Sequence, residues 1–171
     1  MKIIRNILLI ALALLLQSVL IGRLDVYGIR PDLSMIVLIF LANESRPVEI
    51  IIYGFFIGFI QDVYTPEYLG YNAFSMSLIA YFLSMMKERF TVENYLVKLG
   101  STLIACLIHD VLYLSLYTQF DLSAISSLFV RESFPGAVYT SILAISLVRV
   151  WAWIENGGLI LVLRELIGFR R

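Results

Sequence analysis

The chain has 171 residues, of which 60% are hydrophobic and 15% charged, with 13 basic side chains against 13 acidic ones. At a mean hydropathy of +0.88 it is too apolar for a soluble domain of this length and reads as an integral membrane protein. A net charge of zero gives no field to attract nucleic acid, and the sequence contains no Gly-rich phosphate loop, Cys/His metal cluster or Ser/His/Asp arrangement.

Six apolar segments follow one another, at residues 3–21, 31–42, 48–63, 69–86, 95–117 and 134–153. The first follows Lys2 and Arg5, as in a signal peptide. However, Ala11 and Ala13 lie inside its apolar core and no small-residue cleavage site follows, so it is expected to remain as a helix. The second opens on Pro31-Asp32-Leu33. Proline is pre-organised for a first helical turn, and a carboxylate beside a helix N-terminus is favoured by the dipole. The motif therefore reads as a helix start, with contact to a partner chain as the functional alternative.

In the third segment Gly54, Gly58 and Asp62 recur every four residues and so share one helix stripe. The two glycines form a small-xxx-small pattern that lets another helix, internal or from a partner, approach closely. A carboxylate in an apolar segment needs a reason to be there; Asp62 falls at the outer end of its helix, near water, and Arg30 on the same side is its expected partner. The fourth segment opens with Leu69-Gly70-Tyr71-Asn72-Ala73, where Gly70 and Asn72 suit a turn into a helix. Ala73, Ser77, Ala80 and Ser84 then make a narrow small-residue face. Ser101, Ala105 and His109 repeat that spacing in the fifth segment, and Gly136, Thr140 and Ala144 in the sixth. Small stripes on four helices predict a tight bundle rather than a wide pore.

His109-Asp110 is the most polar pair at membrane depth. Adjacent helix residues point about 100° apart, which argues against a shared face and for polar contacts between helices over proton relay. The lone Cys106 cannot form an internal disulfide and reads as a buried packing residue. Residues 118–133 form the longest connection, too short to fold alone. Trp151 and Trp153 suit an interfacial belt, and residues 159–169 suit a helix lying on the inner leaflet. The organisation expected is a six-helix transmembrane bundle over residues 1–156, followed by an interfacial amphipathic helix and basic tail over 157–171.

The positive-inside rule orients the bundle. With the N-terminus inside, Lys2, Arg5, Arg46, Lys87, Arg89, Lys98, Arg149, Arg164, Arg170 and Arg171 are cytoplasmic, and Arg23, Arg30 and Arg131 lie outside. That bias gives N-in and C-in with an even number of spans. Segments two and three are short for a crossing. Full spans are favoured over a re-entrant hairpin, because local bilayer thinning can match them.

Pro-Asp-Leu opening the second segment, then Gly-x-x-x-Gly-x-x-x-Asp, then Leu-Gly-x-Asn-Ala, together resemble the MreD family of bacterial rod shape-determining membrane proteins. The motif region covers residues 31–81, about a third of the chain, and length and hydropathy agree elsewhere. The resemblance implies an all-α fold similar to the S component of energy-coupling-factor transporters. It also implies a non-enzymatic role in the bacterial inner membrane. The implied partners are an MreC-like bitopic protein and, indirectly, an MreB-like actin, a SEDS glycosyltransferase and a class B penicillin-binding transpeptidase. No cofactor is implied. Pro31, Asp32, Gly54, Gly58, Asp62, Gly70 and Asn72 carry over as partner-binding or helix-packing positions.

Two functions of different class follow. One is a membrane scaffold in which a partner's helix docks in a small-residue seam and its outer domain rests near Asp32, Asp62 and Gly70. The other is a vitamin-capturing S component, with a pocket lined by Tyr64, Tyr68 and Tyr71. Against the second, the first helix has Ala11 and Ala13 rather than alanines four apart. A third option, an enzyme acting on lipid-linked substrates, lacks an acid cluster beside a basic site.

Overall fold

The computed structural model describes residues 2–20, 25, 29–85 and 95–155, and these are almost entirely helical. Seven α-helices follow in order: α1 (Lys2–Leu20), α2 (Leu33–Glu44), α3 (Pro47–Val63), α4 (Tyr71–Met85), α5 (Tyr95–Tyr117), α6 (Leu122–Leu128) and α7 (Phe134–Glu155). The six apolar segments are α1 to α5 and α7. The expected surface helix over residues 159–169 lies outside the described residues, as do Lys87, Arg89 and the side chain of Trp151.

Local chemistry sets the helix ends. Asp32 caps α2 by accepting from the Met35 backbone N–H at 3.0 Å. Arg46 is extended, with φ −74° and ψ 155°, as a residue before proline must be, and Pro47 starts α3. Glu49 reaches back to the Arg46 N–H at 3.2 Å. Beyond α3, a turn of 3₁₀ helix at Pro66–Tyr68 leads to Gly70 and into α4.

Residues 118–133 are not a loop, which corrects the expectation for the longest connection. A tight turn over 118–120 leads into α6, and α6 runs into α7 through a π-helical turn at Phe129–Ser133. Asp121 makes this possible by capping α6: its carboxylate accepts from the Ser123 N–H at 2.9 Å. Hydrophobicity falls off here, but caps and continuous backbone hydrogen bonding keep the helix going.

The core lies among α2, α3 and α4, with Met35, Leu38, Leu41, Ile50, Ile57, Met76 and Ile79 fully buried. α3 and α4 form the most closely packed pair, an antiparallel hairpin. α1 lies on α2, and α5 lies on α7 and α4. Around this core the outer faces are apolar: Ile4, Leu8, Leu12 and Leu15 on α1, and Phe55, Phe56, Phe59 and Val63 on α3 are exposed. An apolar surface of that extent matches hydrocarbon rather than water.

Among the described residues, three helical stretches are long and apolar enough to cross a membrane: Lys2–Val19, Leu99–Tyr117 and Leu122–Val150. The expected count of six is thus not reached by length and composition. α2 has 12 residues and α4 has 15. At about 1.5 Å rise per residue both fall well short of a hydrocarbon core about 30 Å thick.

Several hydroxyls on or beside the small-residue stripes donate within their own helix. Ser75, Ser77, Thr140 and Ser141 donate to the carbonyl four residues earlier on their own helix, at 2.6–2.8 Å. With the hydroxyls turned inward on the backbone, the helices meet through their small, apolar edges.

Candidate functional site

The Gly54–Gly58–Asp62 stripe faces the first half of α4. A Cβ on Gly54 would stand 2.7 Å from the Met76 carbonyl oxygen and 3.0 Å from the Ala80 Cβ. One on Gly58 would overlap the Asn72 carbonyl and lie 2.5 Å from the Ala73 nitrogen. The helix these glycines admit is the chain's own α4, so this seam is already filled.

Asp62 ends the stripe, and its carboxylate binds the start of α4. Oδ2 accepts from the backbone N–H groups of Gly70 at 2.9 Å and Ala73 at 3.0 Å. Oδ1 accepts from the Asn72 N–H at 3.1 Å and from its side-chain Nδ2 at 3.0 Å. The first turn of a helix leaves N–H groups without intrahelical partners, and these carry the positive end of the dipole. Ordinarily the residue at the helix start caps them with its own side chain. Here glycine occupies that place, at φ +101°, and a carboxylate from the preceding helix does the capping.

The expected Asp62–Arg30 pair does not form. Arg30 Nε lies 2.8 Å from Asp25 Oδ2, and Asp62 is fully buried rather than at a wet helix edge. Four donors fixed by the hairpin satisfy the carboxylate without drawing a guanidinium out of water.

The start of α2 is a second polar cluster. The Asp32 N–H donates to Thr140 Oγ1 at 3.0 Å, and the Leu33 N–H donates to Gln17 Oε1 at 2.7 Å. With Met35 capped by Asp32, α7, α1 and the cap residue divide the donors of this helix end among them. Pro31 beside them is buried. Gln61 Nε2 donates to Ser34 Oγ at 3.0 Å, which ties the Asp62 end of α3 to the Asp32 end of α2. Arg5 pairs with Glu44 at the opposite end of α1 and α2. Pro31, Asp32, Asp62, Gly70 and Asn72 therefore gather at one end of the bundle, with Gly58 and then Gly54 below them on α3.

Beside Asp32 opens a cavity of about 450 Å³ between α2, α5 and α7, lined by Arg30, Asp32, Met35, Cys106, His109, Asp110, Glu132, Ser133, Gly136, Ala137 and Thr140. The π-turn carries Glu132 and Ser133 to its wall, and such turns recur at functional sites. The adjacency argument about His109 and Asp110 fails, because Nδ1 and Oδ1 are 3.1 Å apart. The two side chains bend toward one another across the arc between them. His109 is 6% exposed, and its Nε2 has no hydrogen-bond partner among the described residues. The hydrogen bond shown for its imidazole stays within α5. His109 also begins a stack with Tyr113 and Tyr117, continued by Tyr68 with its ring centroid 4.7 Å from that of Tyr117. The expected tyrosine pocket is absent from this wall: none of Tyr64, Tyr68 and Tyr71 lines the cavity.

A family model described as rod shape-determining protein MreD matches residues 2–155. The chain belongs to the MreD family. Neither a curated protein nor a solved structure matched it. Membership extends the likeness from the motif region to nearly the whole chain and gives it a part in rod shape determination. Both the α3–α4 clamp and the cavity lie within the matched residues.

Sequence reasoning passed over several groups that this MreD-family fold uses. Gln61 is the single amide of α3 and Gln17 lies eleven residues beyond Asn6, the nearest other amide in α1, and that isolation was the available signal, since a lone amide in hydrocarbon needs a partner. Glu132 gave no signal while residues 118–133 read as a loop. Among the described residues no group of three or more His, Cys, Asp or Glu side chains is placed to hold a metal ion.

Gly70 has open space around it, so an added methyl meets nothing within 4 Å and only the backbone objects. Gly70→Ala is expected to lower stability by about 1–3 kcal/mol, the range for a strained backbone position. Thermal unfolding of the purified protein in detergent would read this out. An unchanged midpoint would mean that the turn relaxes freely and does not hold the clamp.

Proposed function

We propose that this MreD-family chain is a non-catalytic membrane scaffold of the bacterial cell-wall elongation machinery, acting through a complex with an MreC-like bitopic protein. The observation that carries the reading is the cavity beside Asp32. It is polar, open and next to a helix start, whereas the glycine seam is occupied by α4. A partner is therefore received at the cavity end rather than in the seam. Through that partner the chain would act indirectly with an MreB-like actin, a SEDS glycosyltransferase and a class B penicillin-binding transpeptidase.

The same reading includes six crossings of the inner membrane, with both termini in the cytoplasm and a fold similar to a transporter S component. The distribution of Lys and Arg supports the orientation. Local thinning of the bilayer would accommodate the short α2, α3 and α4. In this orientation the cavity faces outward, toward the side on which the cell wall is built.

Glu132 is exposed at the cavity wall and away from the core. Glu132→Lys is expected to cut co-purification of the MreC-like partner at least about fivefold, because reversing a charge at an interface penalises the original partner. Its thermal midpoint should match that of the wild type. Full recovery of the partner with the variant would sink the cavity as the contact. Failure of the wild type to capture any such partner would sink the scaffold.

A further inference from the structure

We infer that the α3–α4 hairpin is a membrane-thinning face that selects phospholipids with short acyl chains, while the α5–α7 flank takes chains of ordinary length. This assignment rests on the reading that α3 crosses the bilayer. It goes beyond that reading by confining the thinning to one face and by naming the lipid that covers it.

The two flanks differ in height. α3 has 17 residues and α4 has 15, so at about 1.5 Å per residue they stand about 25 Å and about 22 Å tall. The apolar span of α5 has 19 residues and α7 has 22, which gives about 28 Å and about 33 Å. A hydrocarbon core about 30 Å thick fits the second pair and overhangs the first. α3 packs mainly on α4, and α5 mainly on α7, with α4 between α3 and α5. The short and the long helices therefore meet lipid on separate flanks.

The ends of the short pair are fixed. Arg46 is extended and Pro47 opens α3, so the helix does not continue backward past that point. At its other end the chain turns off at Tyr64, and the Asp62 carboxylate holds the Gly70 and Ala73 N–H groups at the start of α4. Tilting would lower the hairpin further. The bilayer is the softer partner, and thinning is how it meets a span that is too short.

The surface of α3 suits acyl chains. Val48, Ile52, Phe56, Phe59, Ile60 and Val63 are exposed and spread over an arc of about 140° at 3.6 residues per turn. A single partner helix needs only a narrow seam. Exposed Arg46 and Glu67 bracket this strip at its two ends, as polar edges bracket a slab of hydrocarbon. On α4, Phe74, Phe82 and Met85 are exposed as well.

The chain has two tryptophans, so Trp151→Phe with Trp153→Phe leaves a dark background for one indole at a time. Phe56→Trp reports on α3 and Ile142→Trp on α7, both at exposed positions. The full chain is reconstituted in brominated dioleoyl phosphatidylcholine mixed with either dimyristoleoyl or dioleoyl phosphatidylcholine. Quenching then gives the relative affinity of the lipid beside each indole. At Phe56→Trp the shorter lipid is expected to bind about twofold tighter or more, the scale of a few ångströms of mismatch. At Ile142→Trp it is expected to bind no tighter than the longer one. Ile60→Trp, one turn along the same face, is expected to repeat the α3 result. The same preference on both helices would overturn the inference. So would an α3 indole that no lipid quenches, because protein, a second copy or a partner, would then cover the face. Arg46→Cys and Glu67→Cys, in a Cys106→Ala background, test the crossing separately with a membrane-impermeant maleimide on sealed vesicles. Reaction from opposite sides without a lipid preference overturns this inference and leaves the crossing standing. Reaction from the same side overturns the crossing, and the thinning face with it.

Discussion

Gly58→Ala is expected to be among the most damaging single-methyl changes that this chain can undergo. The added Cβ would overlap backbone, the Asn72 carbonyl, and stand 2.5 Å from the Ala73 nitrogen. No side chain can rotate away to make room, so α3 and α4 must separate. Separation stretches the four hydrogen bonds to Asp62 as well as the apolar packing along the hairpin. The expected loss is about 3 kcal/mol or more, at the upper end for overpacked sites. It should appear as a lowered thermal midpoint in detergent and reduced membrane abundance, with rounded cells following from the lower abundance. Gly54→Ala is the graded control. Its Cβ would meet the Met76 carbonyl oxygen at 2.7 Å, a milder overlap, and its loss should be smaller. Equal stability of Gly58→Ala and wild type would mean that the hairpin is not packed as described.

Asp62→Asn is the second large effect. The replacement keeps the shape of the side chain but turns one oxygen into an NH₂ group. Whichever way the amide points, a donor then faces donors: the backbone N–H groups of Gly70 and Ala73 at Oδ2, or the backbone N–H and side-chain Nδ2 of Asn72 at Oδ1. Two backbone donors lose their acceptor in the first arrangement and at least one in the second, where the Asn72 amide can turn its own oxygen inward, each worth about 1–3 kcal/mol, and the favourable charge at the start of α4 disappears. An overall loss of about 3 kcal/mol is expected. Hydrogen exchange should rise first at the amides of residues 70–73 and only later in α5 and α7. If exchange rose uniformly, or if Asp62→Asn were as stable as wild type, the carboxylate would not be what anchors α4. The effect is on folding, so a partner-capture experiment on this variant needs abundance-matched samples.

How far the sequence could be read depended on whether the signal was local. Hydrophobic runs located α1 to α5 and α7, because in a membrane apolarity and helix formation are driven together. Pro31-Asp32 gave a usable boundary because proline pre-organisation and capping act within three residues. The stripe of Gly54, Gly58 and Asp62 was legible as one face, since helical periodicity fixes it. Its neighbour was not legible, because a glycine stripe accepts any helix. The partner of Asp62 was misjudged by looking for an opposite charge. Backbone N–H groups leave no mark in a sequence, yet four donors, three of them backbone, outcompeted Arg30. His109 and Asp110 were separated on the ideal wheel, but side-chain bending closed the gap. The cavity was least visible of all: it draws on α2, α5, α7 and the π-turn, and nothing in the order of residues announces that these meet.

The clamp at Asp62 has a consequence for biogenesis. A lone carboxylate costs about 2.5–3.5 kcal/mol during insertion at the centre of a membrane helix, and less toward the end, where Asp62 lies. Every donor to Asp62 lies 8 to 11 residues further along the chain. A loop of about ten residues closes in tens of nanoseconds, far faster than the ribosome adds the residues of α4. Once Ala73 has emerged, the charge can be capped before α4 is complete. α3 would then enter the membrane with its carboxylate already covered by the first turn of the helix that follows it.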